Sequence, residues 1–443
     1  MGSLDNPVKS YLEVIGEAPV IGVGETYTIA KDKNYKTISD ADAEFSVDES
    51  SKGIVEVDKT TGEVKALKSG DAKINISLPN TGIYLDEVAN LTLKVRVQNG
   101  EQFKADFTNK KDDSEITILL DENANIDLIS EDASNSPFKF AVNTQILGVE
   151  GKPATFNVNT KKPPFDIQAG FVVKNATFNI NSTGNVNFLQ VRTPTTAKLP
   201  KDNGTASSYV AFNPILLENV AVYNQNSCLL KGKDYVRFDN IEVRNCLINM
   251  KEDCSSGIFN FDKGYPEKMV VENSTIWSTG NGHKGYLFTG SGKPADITST
   301  STATFTVDHC TMYKIAVGQK ANNGNNLKGK NILYVNLTNS ILVDFGTKSG
   351  NEINGWLFGQ NASDENKGGV VTQKPNRTYK NNSYFTSDGN VAGGWTNSSK
   401  PGYDDTATSL STYPAFADAE NGDFTVSGSD QKSKETGDPR WLK

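Results

Sequence analysis

The sequence predicts an all-β protein in which a small N-terminal β-sandwich precedes a long right-handed parallel β-helix. Short runs of alternating apolar and polar residues fill residues 20–97, and one strand motif recurs six times after residue 170. Alternation with a period of two is typical of strands that bury one face. At 443 residues the chain exceeds the usual size of one globular core. We therefore predict a first domain at residues 8–98 and a second at residues 101–443.

The sandwich prediction depends on four alternating runs, at residues 26–29, 53–57, 72–76 and 91–97. Runs of this length and pattern are typical of half-buried strands in a two-sheet domain. The polar Asn-Gly turn at Asn99 follows the last run and predicts the domain boundary.

The β-helix prediction depends on a repeated strand that ends in asparagine or histidine. In each copy, apolar residues stand four and two places before that residue, and another stands three places after it. The six copies end at Asn175, Asn219, Asn245, Asn273, His309 and Asn339, and a degenerate seventh lies at Asn381. The shortest intervals between copies, of 26 to 30 residues, match one coil of a parallel β-helix.

The repeat also has a physical explanation. The apolar pair points into the coil, the asparagine occupies a bend, and stacked asparagine side chains can hydrogen-bond along the axis. A second, aromatic strand follows several copies, at residues 187–189, 257–261, 285–288 and 355–358. We expect these aromatic residues to stack inside the coils.

The repeat predicts the state of two of the four cysteines. Cys246 and Cys310 occupy equivalent positions with one copy between them, so they should lie about 10 Å apart. A disulfide needs Cα atoms within about 7 Å. We therefore expect no bridge between them, while the repeat leaves Cys228 and Cys254 open. The spacing of the four cysteines contains no CxxC pair that would indicate zinc or redox chemistry.

Charge and hydropathy exclude two classes of partner. The net charge is −8 and no basic face is evident, which argues against nucleic acid. No apolar stretch approaches the roughly 18 to 20 residues of a membrane-spanning helix. The missing leader peptide is uninformative, because an exported protein is normally expressed without it.

Three stretches resemble known families. Residues 54–74, with Thr61-Gly62-Glu63-Val64, resemble the bacterial immunoglobulin-like group 2 family, whose modules usually act as spacers. The repeat region resembles the pectate-lyase-like superfamily of right-handed β-helices. Residues 413–426 and 437–441 are similar to the ending of β-helix lipoproteins of uncharacterised function in Bacteroidetes polysaccharide-utilisation systems. These resemblances imply a glycan partner and a cell-surface or periplasmic location, and they leave open a lipid anchor on the native precursor.

The residues just before the turn form the most site-like group in the sequence. Stacking would place Glu218, Arg244, Glu272 and Asp308 on one outward face, about 4.8 Å apart. Clustered carboxylates beside an arginine could hold Ca²⁺ while Arg244 abstracts a proton from a uronate, which is the chemistry of β-helix lyases. The simpler interpretation, which we favour, is a solvated ladder of ion pairs.

Histidines and aromatic residues supply the remaining candidates. With only His283 and His309, a histidine triad or metal cluster is improbable. His309 lies in an Asp-His-Cys sequence similar to that of pectate lyases, but we favour a turn residue that replaces the repeat asparagine. Sugar rings stack on flat aromatic faces. Our candidate ligand-binding aromatic residues are Trp277, which we prefer, Tyr286 and Trp356.

Three functions remain open at this point. The favoured hypothesis is a polysaccharide-binding or polysaccharide-processing β-helix without strong catalysis. The alternatives are a Ca²⁺-dependent lyase of a uronic-acid glycan, favoured over a glycoside hydrolase, and a structural adhesin or spacer.

Overall fold

A computed structural model describes residues 12–37, 42–78, 87–192, 211–212, 214–233, 236–262, 264–290, 303–323, 333–347, 377–396, 404, 406 and 412–443. The chain is mainly β and divides into two compact units. Unit 1 comprises Met1–Asp127 and Gln145–Ala154, and unit 2 comprises Leu128–Thr144 and Thr155–Lys443. Unit 1 therefore extends beyond the predicted boundary near residue 98.

Unit 1 contains two main sheets, and along their strands buried and exposed residues alternate. The four-stranded sheet has the spatial order Val20–Gly22, Glu87–Arg96, Gly70–Leu78 and Glu44–Val47. The three-stranded antiparallel sheet has the order Thr26–Thr28, Glu63–Ala66 and Val55–Val57. Alternate residues such as Val64, Ile74 and Leu93 are fully buried, as the period of two predicts. The smaller elements are Leu12–Val14 paired with Tyr35–Thr37, the short helices Lys31–Asn34 and Glu49–Ser51, and the strand Ile116–Leu119.

The helix Gly100–Lys110 interrupts the all-β pattern, and the sequence analysis did not predict it. The Asn99 side chain caps the helix by accepting a hydrogen bond from the backbone N–H of Gln102, at 3.0 Å. The side-chain oxygen of Gln102 in turn accepts from the backbone N–H of Gln98, at 2.8 Å. The Asn-Gly pair is therefore a helix start, and the polar residue three places after Asn99 was the available signal.

Unit 2 is built from three parallel stacks of strands that the chain visits in turn. Arm A comprises the strands that precede the turn residue: Ile241–Arg244, Lys268–Glu272, Ala303–Asp308, Leu333–Thr338, Arg377–Lys380 and the first halves of Phe171–Ile180 and Ile215–Gln225. Arm B comprises the strands that follow it: Leu247–Met250, Thr275–Trp277, Thr311–Tyr313, Ile341–Val343, Ser383–Phe385 and the second halves of the same two strands.

Sheet C is the third stack, and three of its seven strands overlap the aromatic strands predicted at residues 187–189, 257–261 and 285–288. It comprises Phe138–Phe140, Phe165–Ile167, Leu189–Val191, Leu230–Gly232, Phe259–Asn260, Phe288–Thr289 and Asn322–Asn323. Buried rings lie close together between the stacks, such as Phe178 and Phe188, with centroids 4.9 Å apart, and Phe288 and Phe305, also at 4.9 Å. Phe259 and Phe288, on consecutive strands of sheet C, also lie close, with centroids 5.5 Å apart. The expected interior position of the aromatic residues is therefore confirmed for the phenylalanines of the described strands, whereas Tyr286 is half-buried and residues 355–358 lie outside the described residues.

The remaining elements of unit 2 are short. They are the strands Ala154–Thr160, Ala211–Phe212, Arg237–Phe238 and Tyr265–Pro266, the C-terminal hairpin Phe416–Asp418 with Asp423–Val426, and the helices Gly393–Thr396, Ala419–Asn421, Ser429–Ser433 and Pro439–Trp441. The strands Asn125–Ser130, Thr144–Leu147 and Ala154–Thr160 each run across the limits of the two units.

The predicted turn residues lie in register on neighbouring strands. The residues just before them pair in the order Lys174, Glu218, Arg244, Glu272, Asp308, Thr338 and Lys380. Every turn residue has a left-handed backbone, with φ between 47° and 55°, including His309 at 47° and Asn381 at 55°. Asparagine tolerates this conformation better than most residues do. The turn ladder, including its seventh copy, is confirmed.

Cysteines fill the small buried position after the turn. Cys246 and Cys310 are fully buried, and each backbone N–H donates to a serine hydroxyl on the next strand, Ser274 and Ser340. All four cysteines are free. Burial raises the pKa of the Cys246 thiol to about 12, so this group is an unreactive packing residue.

Candidate functional site

The residues that immediately precede the turns form a continuous row along the outer face of arm A. We call these seven residues the outward row: Lys174, Glu218, Arg244, Glu272, Asp308, Thr338 and Lys380. Adjacent members are separated by one strand spacing, about 4.8 Å. All four residues that the sequence analysis grouped here are therefore neighbours, in the expected order.

Ion pairs connect the first half of the outward row. Lys174 Nζ lies 2.6 Å from Glu218 Oε2, and Arg244 Nε lies 2.6 Å from Glu242 Oε2. Arg244 also contacts the carboxylate of Glu272 on the next strand. The hydrogen bond from Arg244 lowers the pKa of Glu242. These side chains are 16–38% exposed, so the pairs remain accessible from solvent.

Asp308 and His309 break the asparagine ladder. The ladder hydrogen bonds run from Asn219 to Asn175, at 3.2 Å, and from Asn381 to Asn339, at 3.0 Å. At the histidine copy, the Asn339 amide instead donates to Asp308 Oδ1, at 2.9 Å.

The carboxylate of Asp308 also holds the imidazole. Thr338 Oγ1 donates to Asp308 Oδ1 at 2.6 Å, and Asp308 Oδ2 lies 2.9 Å from His309 Nδ1. Burial opposes ionisation of Asp308, but the hydrogen bonds from Thr338, His309 and Asn339 outweigh it and lower its pKa. An ionised carboxylate accepts the Nδ1 proton, which leaves Nε2 for another partner.

An exposed aromatic ring shares this face of arm A. Tyr334 is 38% exposed, and it lies on the outer face with Asn336 and Thr338, two and four residues later. Asn336 Nδ2 donates to Thr306 Oγ1 on the neighbouring strand, at 3.1 Å. The sequence analysis missed Tyr334, although the strand register places it outward once Asn339 is the turn.

The aromatic residues proposed from the sequence occupy different surroundings. Trp277 is only 4% exposed and packs beneath the C-terminal hairpin, with its ring 5.7 Å from that of Phe424. Its ring is therefore not presented to solvent. Tyr286 is half-buried beside sheet C, and its carbonyl accepts from the backbone N–H of Ile258 at 2.8 Å. Trp356 lies outside the described residues.

His283 is a structural residue in the interior of unit 2. It is fully buried, and its Nε2 lies 2.8 Å from the carbonyl oxygen of Ser256. Burial lowers the pKa of His283 to about 4, so the ring is neutral at physiological pH. His309 is thus the histidine that solvent and solutes can reach.

A cavity of about 350 Å³ adjoins the turn ladder at His309. We call it the His309 cavity. Its lining residues come from two turns and from the C-terminal segment, and they are Asn273, His309, Lys432, Glu435, Pro439, Leu442 and Lys443. The sequence alone could not indicate it, because over 100 residues separate His309 from the C-terminal lysines.

Hydrogen bonds to the buried carboxylate of Asp438 hold the C-terminal segment against arm B. Asp438 is 1% exposed and accepts hydrogen bonds from Thr275 Oγ1, at 2.8 Å, and from the backbone N–H of Arg440, at 3.1 Å. Trp441 Nε1 also donates to Thr275 Oγ1, at 2.8 Å. These bonds fix one wall of the His309 cavity.

A second polar group on sheet C also escaped the sequence analysis. Asp166 is 2% exposed, and its Oδ2 accepts from Arg192 Nε, at 2.6 Å, and from Gln190 Nε2, at 3.3 Å. Its other oxygen has no hydrogen-bond partner among the described residues. Only the stacking of consecutive coils brings these three residues together.

The described residues lack two kinds of feature. They contain no group of three His, Cys, Asp or Glu side chains that could hold a metal ion. In the same part of the chain, no helix is long and apolar enough to cross a membrane.

Comparison with known proteins identifies one stretch of the chain. Residues 305–441 match the family model described as a domain of unknown function, DUF5123. No curated protein and no solved structure matches the chain. The matched stretch includes His309, Tyr334, Lys432 and Asp438, so it joins the later copies of the repeat to the C-terminal segment that packs on them.

Proposed function

We propose that this is an exported glycan-binding protein in which a right-handed parallel β-helix, of the pectate-lyase-like type, presents a polysaccharide-binding face. Three parallel stacks visited in turn and a ladder of left-handed turns support the β-helix. We further propose that unit 1 is an immunoglobulin-like spacer of the bacterial group 2 type. The location would be the cell surface, as an outer-membrane lipoprotein, or the periplasm, within a polysaccharide-utilisation system.

The observation that carries the proposal is the outer face of arm A, where Tyr334 lies beside a row of polar side chains at strand spacing. Sugars are recognised by flat apolar surfaces flanked by hydrogen-bonding groups. Arm A supplies both on a rigid sheet, so little conformational entropy is lost on binding. Regular spacing from one strand to the next suits a repeating polymer better than a single small molecule.

Arg244 fits a binding role better than a catalytic one. A base must be free to accept a proton from the substrate, and it must lie within hydrogen-bond reach of that proton. The Arg244 guanidinium instead donates to Glu242 and contacts Glu272. These carboxylates orient its remaining N–H groups for sugar hydroxyls, and so the geometry favours binding over lyase chemistry.

The test is affinity electrophoresis of the full chain in gels that contain neutral or acidic plant and host polysaccharides. We expect retardation by at least one polysaccharide, and a Tyr334→Ala change should weaken it about two- to tenfold. Lys152→Ala is a matched control, because Lys152 forms an exposed ion pair with Glu122 in unit 1. It should leave retardation unchanged.

Two results would overturn the proposal. Absence of retardation by every polysaccharide would remove glycan binding and favour an adhesin or spacer. Release of unsaturated uronate from an acidic polysaccharide with added Ca²⁺, lost in Arg244→Ala, would replace it with the lyase alternative.

A further inference from the structure

The His309 cavity has the size and charge of a site for a small anion-bearing group. Its volume of about 350 Å³ falls at the lower end of the range for small-molecule sites, ~300–1,000 Å³. Two lysines, Lys432 and Lys443, and His309 line it, together with one glutamate, Glu435. Cationic side chains therefore outnumber anionic ones on its walls, although the chain as a whole carries a net charge of −8. Lys432 Nζ also donates to the backbone oxygen of Lys443, at 3.2 Å.

The cavity is also continuous with the proposed glycan-binding face. His309 follows Asp308 of the outward row, and Asn273 follows Glu272. A polysaccharide held along arm A would therefore bring its substituents to the cavity mouth. The hydrogen bond from Nδ1 to Asp308 fixes the ring and leaves Nε2 for a ligand in the cavity.

The cavity walls are fixed independently of any ligand. The turn at His309 is held by its backbone N–H, which donates to the carbonyl of Thr338 at 3.2 Å. On the opposite wall, Asp438 anchors the segment that carries Lys432 and Lys443. The cationic groups are thus presented by a preorganised frame, which lowers the entropic cost of binding.

We propose that the His309 cavity binds an oxyanion substituent, the carboxylate or sulfate of one sugar residue, between Lys432, Lys443 and the imidazole of His309. This inference rests on the proposed glycan binding and names the ligand class as acidic. A carboxylate and a sulfate present the same acceptor oxygens to the two ammonium donors, and to Nε2 of His309 when the ring carries both protons. The experiment below distinguishes the two sources.

The two histidines allow a direct measurement by nuclear magnetic resonance on the full chain labelled with ¹⁵N-histidine. Sodium glucuronate and sodium sulfate serve as probes, with sodium chloride at equal ionic strength and glucose as the references. We expect a saturable shift of the His309 resonances with one or both anions and none with the references. The His283 resonances should stay constant because that ring is fully buried.

Charge-removing variants then assign the site. Lys432→Gln or Lys443→Gln should weaken the anion response about tenfold or more, since each removes a charge-assisted donor. Lys434→Gln is the matched control, an exposed lysine two residues from Lys432 that does not line the cavity. A response to glucuronate alone identifies a uronate site, and a response to sulfate alone identifies a sulfated-sugar site.

The inference would be overturned if neither anion gave a saturable His309 shift, or if Lys434→Gln weakened the response as much as Lys432→Gln. Electrophoresis of the same variants separates this outcome from failure of the glycan proposal. If retardation by a neutral polysaccharide persists while the anions give no shift, the cavity inference fails and glycan binding stands. If the anions shift His309 but no polysaccharide is retarded, the cavity binds anions and the proposed function fails.

Discussion

Replacement of Asn245 by valine tests the energetic role of the left-handed turns. Asn245 has φ of 54°, and its backbone N–H donates to the carbonyl of Glu272 at 3.2 Å. Because that bond belongs to the ladder between strands, the turn cannot relax without breaking it. The side chain is exposed, so its removal loses little burial. The substitution therefore isolates the cost of the backbone conformation.

The expected magnitude follows from the conformation alone. A non-glycine residue in the left-handed region costs roughly 1–2 kcal/mol, and a β-branched side chain stands at the upper end. We therefore expect Asn245→Val to lower the free energy of unfolding by about 2 kcal/mol. Asn245→Gly should lose less than half of that, because glycine adopts positive φ without steric strain.

Urea denaturation followed by tryptophan fluorescence measures these differences. A suitable control is Asn336→Val, which places the same residue in the extended strand Leu333–Thr338, where valine is favoured. It loses only the hydrogen bond from Asn336 Nδ2 to Thr306 Oγ1, so its cost should stay below that of Asn245→Val. Equal losses for Asn245→Val and Asn336→Val would refute the reasoning. So would an Asn245→Gly variant as unstable as the valine variant.

Two further predictions concern buried ionisable groups. Burial raises the pKa of Asp438 above its usual 3.8, so its contribution to stability is largest at acid pH and falls as pH rises through the folded-state pKa. Thermal unfolding should therefore show that the parent's advantage over Asp438→Asn is smaller at pH 7 than at acid pH, and an advantage that grows with pH would contradict this. Asp438→Ala, which loses the bonds to Thr275 and Arg440, should cost about 1–3 kcal/mol. Burial lowers the pKa of His283 from 6.5 to about 4, so its contribution is fully present above pH 6.5 and is lost as pH falls towards 4. His283→Gln should reduce this loss of stability at acid pH, which for one group with this pKa shift amounts to about 3 kcal/mol. An unchanged loss of stability in the variant would argue against the assignment.

The architecture of unit 2 was predictable from sequence because its signal is local and repeated. Each copy places two apolar residues before a residue that tolerates positive φ, and seven copies leave little freedom in register. The order of Glu218, Arg244, Glu272 and Asp308 followed from that register. The additional pairing of Arg244 with Glu242 did not, because Glu242 lies two residues earlier on the same strand and the repeat motif does not single it out.

Other features depend on contacts between distant parts of the chain. Trp277 lies at an outward position of arm B. The sequence around Trp277 does not reveal that Phe424, almost 150 residues later, lies against its ring. The His309 cavity likewise forms only because distant parts of the chain come together. The helix Gly100–Lys110 was missed for a local reason, because an Asn-Gly pair serves both as a turn and as a helix start.

The central claim, that consecutive copies of the repeat stack in register, can be tested by distances between spin labels. Labels at Lys174 and Lys380 are separated by six strand steps, which predicts about 29 Å between backbone positions, and labels at Glu218 and Lys380 by five steps, which predicts about 24 Å. Pulsed electron–electron resonance should give narrow distributions that differ by one strand spacing. Broad distributions, or two distances that do not differ by about 5 Å, would contradict the stacked repeat and the binding face proposed on it.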